Sequence, residues 1–331
     1  MAITENQREV LKKISEYELF KVLGYFDPIW FDDINFMREA INIEPVLLQH
    51  ASPAVKDNED IVSLSVEKVG RMLEHASTRL QSSLAVVQIA VATDGNALKY
   101  APTLNDNEGV VSQAVQQNGL AIQFACPQLQ ASKTLGLLAV KQNGDSLQYL
   151  DDDLRADPDV VKAAVKQDGF SLKYAEESLQ GNKSIVLEAV TQKGWALEFA
   201  AKPLQKDPQV ILRAIKQYWA AAKFVDIHAL TDNINNLVLV LDNIECQSEV
   251  ISIWQEKLNN DSLKLDVLQD AITISNGKNK SHGNIEGFNR LKEKYAQTNN
   301  IFFTRNLAQD TQDGTSDDCY SEEKDDSKPT I

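Results

Sequence analysis

Beginning at Asp157 the chain reads two polar-edge residues, then Val160, Val161, two variable positions, Ala164 and Val165, and then a polar run that ends at Gly169. Apolar residues at i, i+1, i+4 and i+5 form one stripe along a helix of 3.6 residues per turn. The same phrase restarts at Phe36, Ile61, Val86, Val110, Leu135, Val160, Ile185 and Val210, a spacing of 25 residues with one step of 24. Self-similarity at such a period marks a stacked repeat architecture, and the short step falls in a loop near Thr103 where a lost residue is tolerated.

Each column of the repeat has a physical reading. Three residues before each start stand Asp33, Asn58, Ser83, Asn107, Ser132, Asp157, Asn182 and Asp207, all types that cap a helix by accepting from its orphan N–H groups. Pro158 and Pro208 follow at the first helical position. The small column Ala40, Ser65, Ala90, Ala114, Ala139, Ala164, Ala189 and Ala214 predicts close helix contacts. Gly70, Gly95, Gly119, Gly144, Gly169 and Gly194 read as helix stops in the left-handed conformation. Beyond them, Leu172, Ala175 and Leu179 at i, i+3 and i+7 predict a short second helix. The ring column His50, His75, Tyr100, Phe124, Tyr149, Tyr174, Phe199 and Phe224 reads as a core ladder.

The predicted fold is therefore all-α: a right-handed or superhelical α-solenoid of short helical hairpins with a helical C-terminal cap. Residues 1–35 are assigned to an N-terminal cap, with an amphipathic stretch Val10 to Leu23 and an aromatic knot. Residues 36–236 are the array, eight units and a degenerate ninth start in which Asp232 keeps the cap position and Trp219 stands where the eighth glycine belongs. Residues 237–307 form a helical cap or module, with helices predicted around 249–258, 263–274 and 285–296. Residues 308–331 are acidic, nearly free of bulky apolar side chains, and expected to be disordered.

Composition narrows the function. The net charge of −15, from 48 acidic against 33 basic side chains, repels a phosphate backbone and argues against nucleic acid. Cys126, Cys246 and Cys319 are few and far apart, which predicts no disulfide-linked partner. No run is long and apolar enough to span a bilayer, and the N-terminus has no conventional signal peptide. No GxxxxGK(S/T), GxGxxG, HExxH, GxSxG or CxxC occurs, so no catalytic, cofactor or metal residues are assigned. His282, alone among Gly, Asn and Lys, reads as a solvated loop residue.

Units of the form VVxxAVKQDGxxLxYAxxxLxxD, best at Val160 to Ile185 and covering roughly 36–225, resemble a helical repeat family catalogued as a domain of unknown function. The resemblance extends to repeats found in tandem in protist proteins and in effectors of intracellular bacteria. The acidic block of Glu322, Glu323, Asp325 and Asp326 is similar to the C-terminal export signals of effectors carried by type IV secretion. That resemblance implies a protein held in the bacterial cytoplasm, then exported to act on a host protein.

A solenoid is most simply a non-catalytic protein-binding scaffold; the alternative is an effector enzyme with an unrecognised active site in residues 237–307. The candidate partner surface is the outer stripe of the first helix in each unit, Leu137 with Lys141, Lys162 with Lys166, Leu187, and Leu212 with Lys216, a basic and apolar row suited to an acidic protein.

Overall fold

The computed structural model describes residues 3–16, 24 and 26–278, and they divide into two compact units, Met1–Ala201 and Lys202–Ile331. Among the described residues every regular element is helical. The first unit holds seven repeats. Each opens with a ten-residue α-helix, as at Lys133–Gln142, Pro158–Gln167 and Lys183–Gln192. The predicted caps stand at each N-terminus. Asp157 accepts from the amides of Asp159 and Val160, and Asn107 from Val110, whereas Ser83 and Ser132 make no side-chain capping bond.

The all-α repeat solenoid is as expected, and the second half of the repeat corrects only the reading of one short second helix. Gly169–Tyr174 is a 3-10 helix, Ala175 is extended at φ −70 and ψ 152, and Glu177–Gln180 is a separate single α-turn. The spacing of Gly169, Leu172 and Ala175 by three matches a helix of three residues per turn, so one side of a 3-10 helix, rather than of an α-helix, faces inward. Leu172, Ala175 and Leu179 are all buried as expected. The repeat is thus α-helix, 3-10 helix, then a short turn. At the 24-residue step the turn is itself 3-10, Pro102–Leu104.

The glycine column also has a different cause. Gly70, Gly95, Gly119, Gly144 and Gly169 do not take a left-handed φ, and the residue before Gly169 is extended, Asp168 with φ −144 and ψ 117. What excludes a side chain is the next repeat. A Cβ on Gly169 would stand 2.5 Å from the carbonyl oxygen of Ala189, and one on Gly119 equally close to that of Ala139. The glycine and small columns are therefore two sides of one contact. The fully buried ladder beside it is aliphatic, Leu48, Leu73, Leu98, Ile122, Leu147, Leu172 and Leu197. The ring column is only half-buried from His75 to Phe199, and His50 is exposed, because residues 169–174 turn that position toward the rim.

Hydrogen bonds repeat with the same period. The amides of Ser77, Cys126 and Glu176 donate to Lys56, Asn105 and Arg155 one repeat earlier, at 2.9, 2.9 and 3.0 Å. Pro102 has no N–H to offer there. A glutamine ends several of the long helices. Gln117, Gln142, Gln167 and Gln192 accept from the amides of Gly95, Gly119, Gly144 and Gly169 at 2.6 to 2.8 Å. The amide groups of Gln117, Gln142 and Gln192 donate onward to carbonyls of the preceding repeat. At the N-terminal end, Gln7 of the helix Glu5–Glu16 donates to Asp33 at 2.9 Å, and Phe26 and Trp30 pack on Phe36 at 5.4 and 5.2 Å between ring centres.

The second unit contains the eighth repeat and the helices that follow it, Ile234–Leu241, Gln247–Lys257 and Ser262–Lys278. The helix at 234 is capped by Asn233, one residue later than the expected Asp232. In the first unit Gln180 donates to the carbonyls of Leu172, Lys173 and Ala175 at the end of a 3-10 helix. Two repeats later that position is Leu230, which has no donor. The equivalent carbonyls, Ala222, Lys223 and Val225, are taken instead by Trp254 at 3.2 Å and Lys257 at 2.9 and 2.7 Å. The predicted helices near 249–258 and 263–274 are present; the one near 285–296, with His282, Cys319 and the acidic tail, lies outside the described residues.

Candidate functional site

Of the predicted partner-surface residues, the structure brings three into one place. Lys141, from the last turn of helix Lys133–Gln142, and Lys162 and Lys166, from Pro158–Gln167, line an open cleft of about 460 Å³ with Asp159, Ala163 and Gln167. All three lysines are exposed. Their placement follows from the period: Lys141 and Lys166 occupy the same column in adjacent repeats, and Lys162 precedes Lys166 by four residues, so the three project from neighbouring turns of stacked helices.

Like charges so placed repel each other, and none of the three has an ion-pair partner among the described residues. Other cations of the unit are paired across repeats. Lys133 reaches across repeats to Asp157 at 2.7 Å and Asp159 at 3.0 Å, Arg38 reaches Asp60 at 3.2 Å, and Lys193 reaches Asp168 at 2.8 Å. Asp159, the single carboxylate in the cleft, is therefore already engaged by Lys133, whose own affinity for its proton is raised by Asp157 and then Asp159. The cleft carries an excess of positive charge in a chain of net charge −15.

Leu137 and Leu187 lie half-buried on the same unit, one turn or one repeat from the cleft, and do not line it. Lys216, exposed, and Leu212, half-buried, belong to the second unit. Glu322, Glu323, Asp325 and Asp326 lie outside the described residues. Sequence reasoning missed Gln167 and Asp159. The signal for Gln167 was present as a recurring glutamine, Gln117, Gln142, Gln167, Gln192 and Gln217, two residues before the glycine in four of five cases. Among the described residues no group of three or more His, Cys, Asp or Glu is placed to hold a metal ion, and no helix is long and apolar enough to cross a membrane.

The sequence model of the family described as "Domain of unknown function (DUF4116)" matches residues 33–81, 86–130, 137–180 and 182–228, and the chain belongs to that family. Each match spans two of the 25-residue repeats described above. No curated protein and no solved structure matches the chain.

Proposed function

We propose that this chain is a non-catalytic protein-binding scaffold, exported from a bacterium as an effector to act on a host protein, and that it receives an acidic partner on the lysine and leucine stripe. The observation that supports the reading most is the cleft of Lys141, Lys162 and Lys166, three exposed cations left without counter-charge on a strongly acidic chain. A positive patch of this kind steers an acidic protein into register and speeds encounter more than it deepens affinity. Leu137 and Leu187 of the first unit supply further contact area, and Leu212 and Lys216 of the second unit stand in the same columns of the repeat. The acidic block at Glu322, Glu323, Asp325 and Asp326 carries the export information in this reading.

Both halves are open to one design of experiment. Partners are recovered from host lysate on the intact chain, and the variant with Lys141, Lys162 and Lys166 all changed to Glu is compared with it. The melting temperature should hold, and association should slow by roughly tenfold or more with a flatter salt dependence. Unchanged binding by a folded triple variant would move the interface elsewhere. In parallel, Ala at the four acidic tail positions should abolish delivery of a translocation reporter while leaving partner binding intact.

A further inference from the structure

We infer that the cleft between the fifth and sixth repeats is a phosphate-recognition site, and that the protein partner presents a phosphorylated side chain to Lys141, Lys162 and Lys166. The inference rests on the protein-binding reading above and narrows it from an acidic partner to a phosphorylated one.

The argument starts from charge density. Three lysine side chains line one open cleft, and the single carboxylate among the lining residues, Asp159, is held by Lys133 at 3.0 Å. Gln167 completes the wall, and its side-chain oxygen is turned away to accept from Gly144 at 2.6 Å. The site therefore offers an excess of donors in a small volume. A carboxylate brings one charge and two oxygens to such a set. A phosphomonoester brings close to two charges and three strong acceptor oxygens, which matches three ammonium groups more completely.

Other polyanions fit less well. Nucleic acid requires a run of basic contacts along its backbone, and a chain of net charge −15 with three clustered lysines does not provide one. A bilayer surface is engaged by basic residues together with exposed aromatic or aliphatic wedges. The large hydrophobic residues that stand exposed among the described residues, such as Ile29, Leu84 and Trp195, lie outside these two repeats, and Ala163 is the one apolar residue among those lining the cleft. The cleft also lies between two repeats, with Lys141 on one and Lys162 and Lys166 on the other, so an extended segment crossing the helices would place one side chain into it.

The test uses the full-length chain and three degenerate peptide libraries with a fixed central residue, phosphoserine, glutamate or serine, read by fluorescence anisotropy at two salt concentrations. Inorganic phosphate and phosphatidylcholine vesicles doped with a phosphoinositide serve as further probes. The phosphoserine library should bind roughly tenfold tighter than the glutamate library, and weaken with salt. Changing Lys141, Lys162 and Lys166 together to Gln should remove that preference without shifting the thermal melt, and Arg at all three should retain it. Equal binding of the phosphoserine and glutamate libraries would overturn phosphate recognition while leaving an acidic partner in place. Binding of the vesicles or of inorganic phosphate, with no preference among the libraries, would overturn it in favour of a lipid or a free anion. If instead the libraries behave as expected but the partner recovered from lysate is indifferent to charge reversal of the lysines, the partner assignment fails and the site chemistry stands.

Discussion

At the scale of single residues the repeat is set by steric economy where two units touch. Gly169 has no room for a methyl group because the Ala189 carbonyl lies against it, so Gly169→Ala should cost roughly 1 to 3 kcal/mol by overpacking. A urea melt that does not move would mean that the repeats part easily at this contact. Two repeats depart from the common pattern at a neighbouring position: Ser146 and Ser171 are fully buried hydroxyls without a hydrogen-bond partner among the described residues, where buried alanine stands at Ala97, Ala121 and Ala196. Removing an unsatisfied buried hydroxyl recovers its lost hydration, so Ser171→Ala should raise stability by about 1 kcal/mol in the same assay. His75 supplies a pH dependence. Burial holds its imidazole below the ordinary value, Glu74 opposes this, and Lys56 and His50 add to it. The unfolded chain thus binds the proton more readily, so this contribution to stability is complete above about pH 6.5 and is lost as the pH falls below it. His75→Phe, which installs the residue found at Phe124 and Phe199, should flatten the acid side of the stability profile; an unaltered slope between the two chains would assign the loss to other groups.

At the scale of elements, what was legible in the sequence is what periodicity encodes directly. The long helices, their capping residues and the buried apolar pairs such as Val160 and Val161 were all readable, because a 3.6-residue stripe and an N-cap are local properties. The 3-10 segment was not. Gly169, Leu172 and Ala175 satisfy an i, i+3 pattern that an α-helix shares, and only the extended Ala175 distinguishes the two. The role of glycine was hidden for a related reason: a residue before a turn and a residue pressed by a neighbour look identical in one dimension. At the candidate site, the lysines were legible as a column, whereas their convergence with Asp159 and Gln167 depends on how adjacent helices stack. The glutamine at the end of the long helix ties adjacent repeats by hydrogen bonds at that level. In Gln142→Ala the amide of Gly119 loses its acceptor, at a cost of about 1 to 3 kcal/mol, while Gln116→Ala, one residue before the equivalent Gln117 of the preceding repeat, should be nearly neutral. Gln142→Glu keeps the acceptor but not the donor to Gln117, so its midpoint should fall between those of the wild type and Gln142→Ala. Equal midpoints for the Ala variants at 142 and 116 would remove the latch from the account.

At the scale of the whole molecule, two compact units are built on one repeat but finished differently. Within Met1–Ala201 the third to seventh repeats close on one another through the glycine contact and the glutamine latch, and the junctions between repeats, except at Pro102, add a backbone hydrogen bond. Within Lys202–Ile331 the eighth repeat ends on Trp254 and Lys257, donors from a new helix at the carbonyls that Gln180 serves in the first unit. A repeat that touches only its neighbours transmits damage only to them, because its stability is a sum of local terms and interface terms. Gly119→Ala tests this in the first unit, since the added methyl meets the Ala139 carbonyl and so perturbs a single interface. If that costs roughly 1 to 3 kcal/mol, amide exchange in Glu108–Gln117, Gly119–Phe124 and Lys133–Gln142 should accelerate by roughly 5- to 150-fold. Helix Ile34–Ile43, three interfaces away, should keep its protection. Hydrogen exchange read by mass spectrometry separates the outcomes cleanly: acceleration confined to the adjoining repeats supports a nearest-neighbour array, and an equal acceleration of every helix from 34 to 192 would show that the unit opens as one cooperative block.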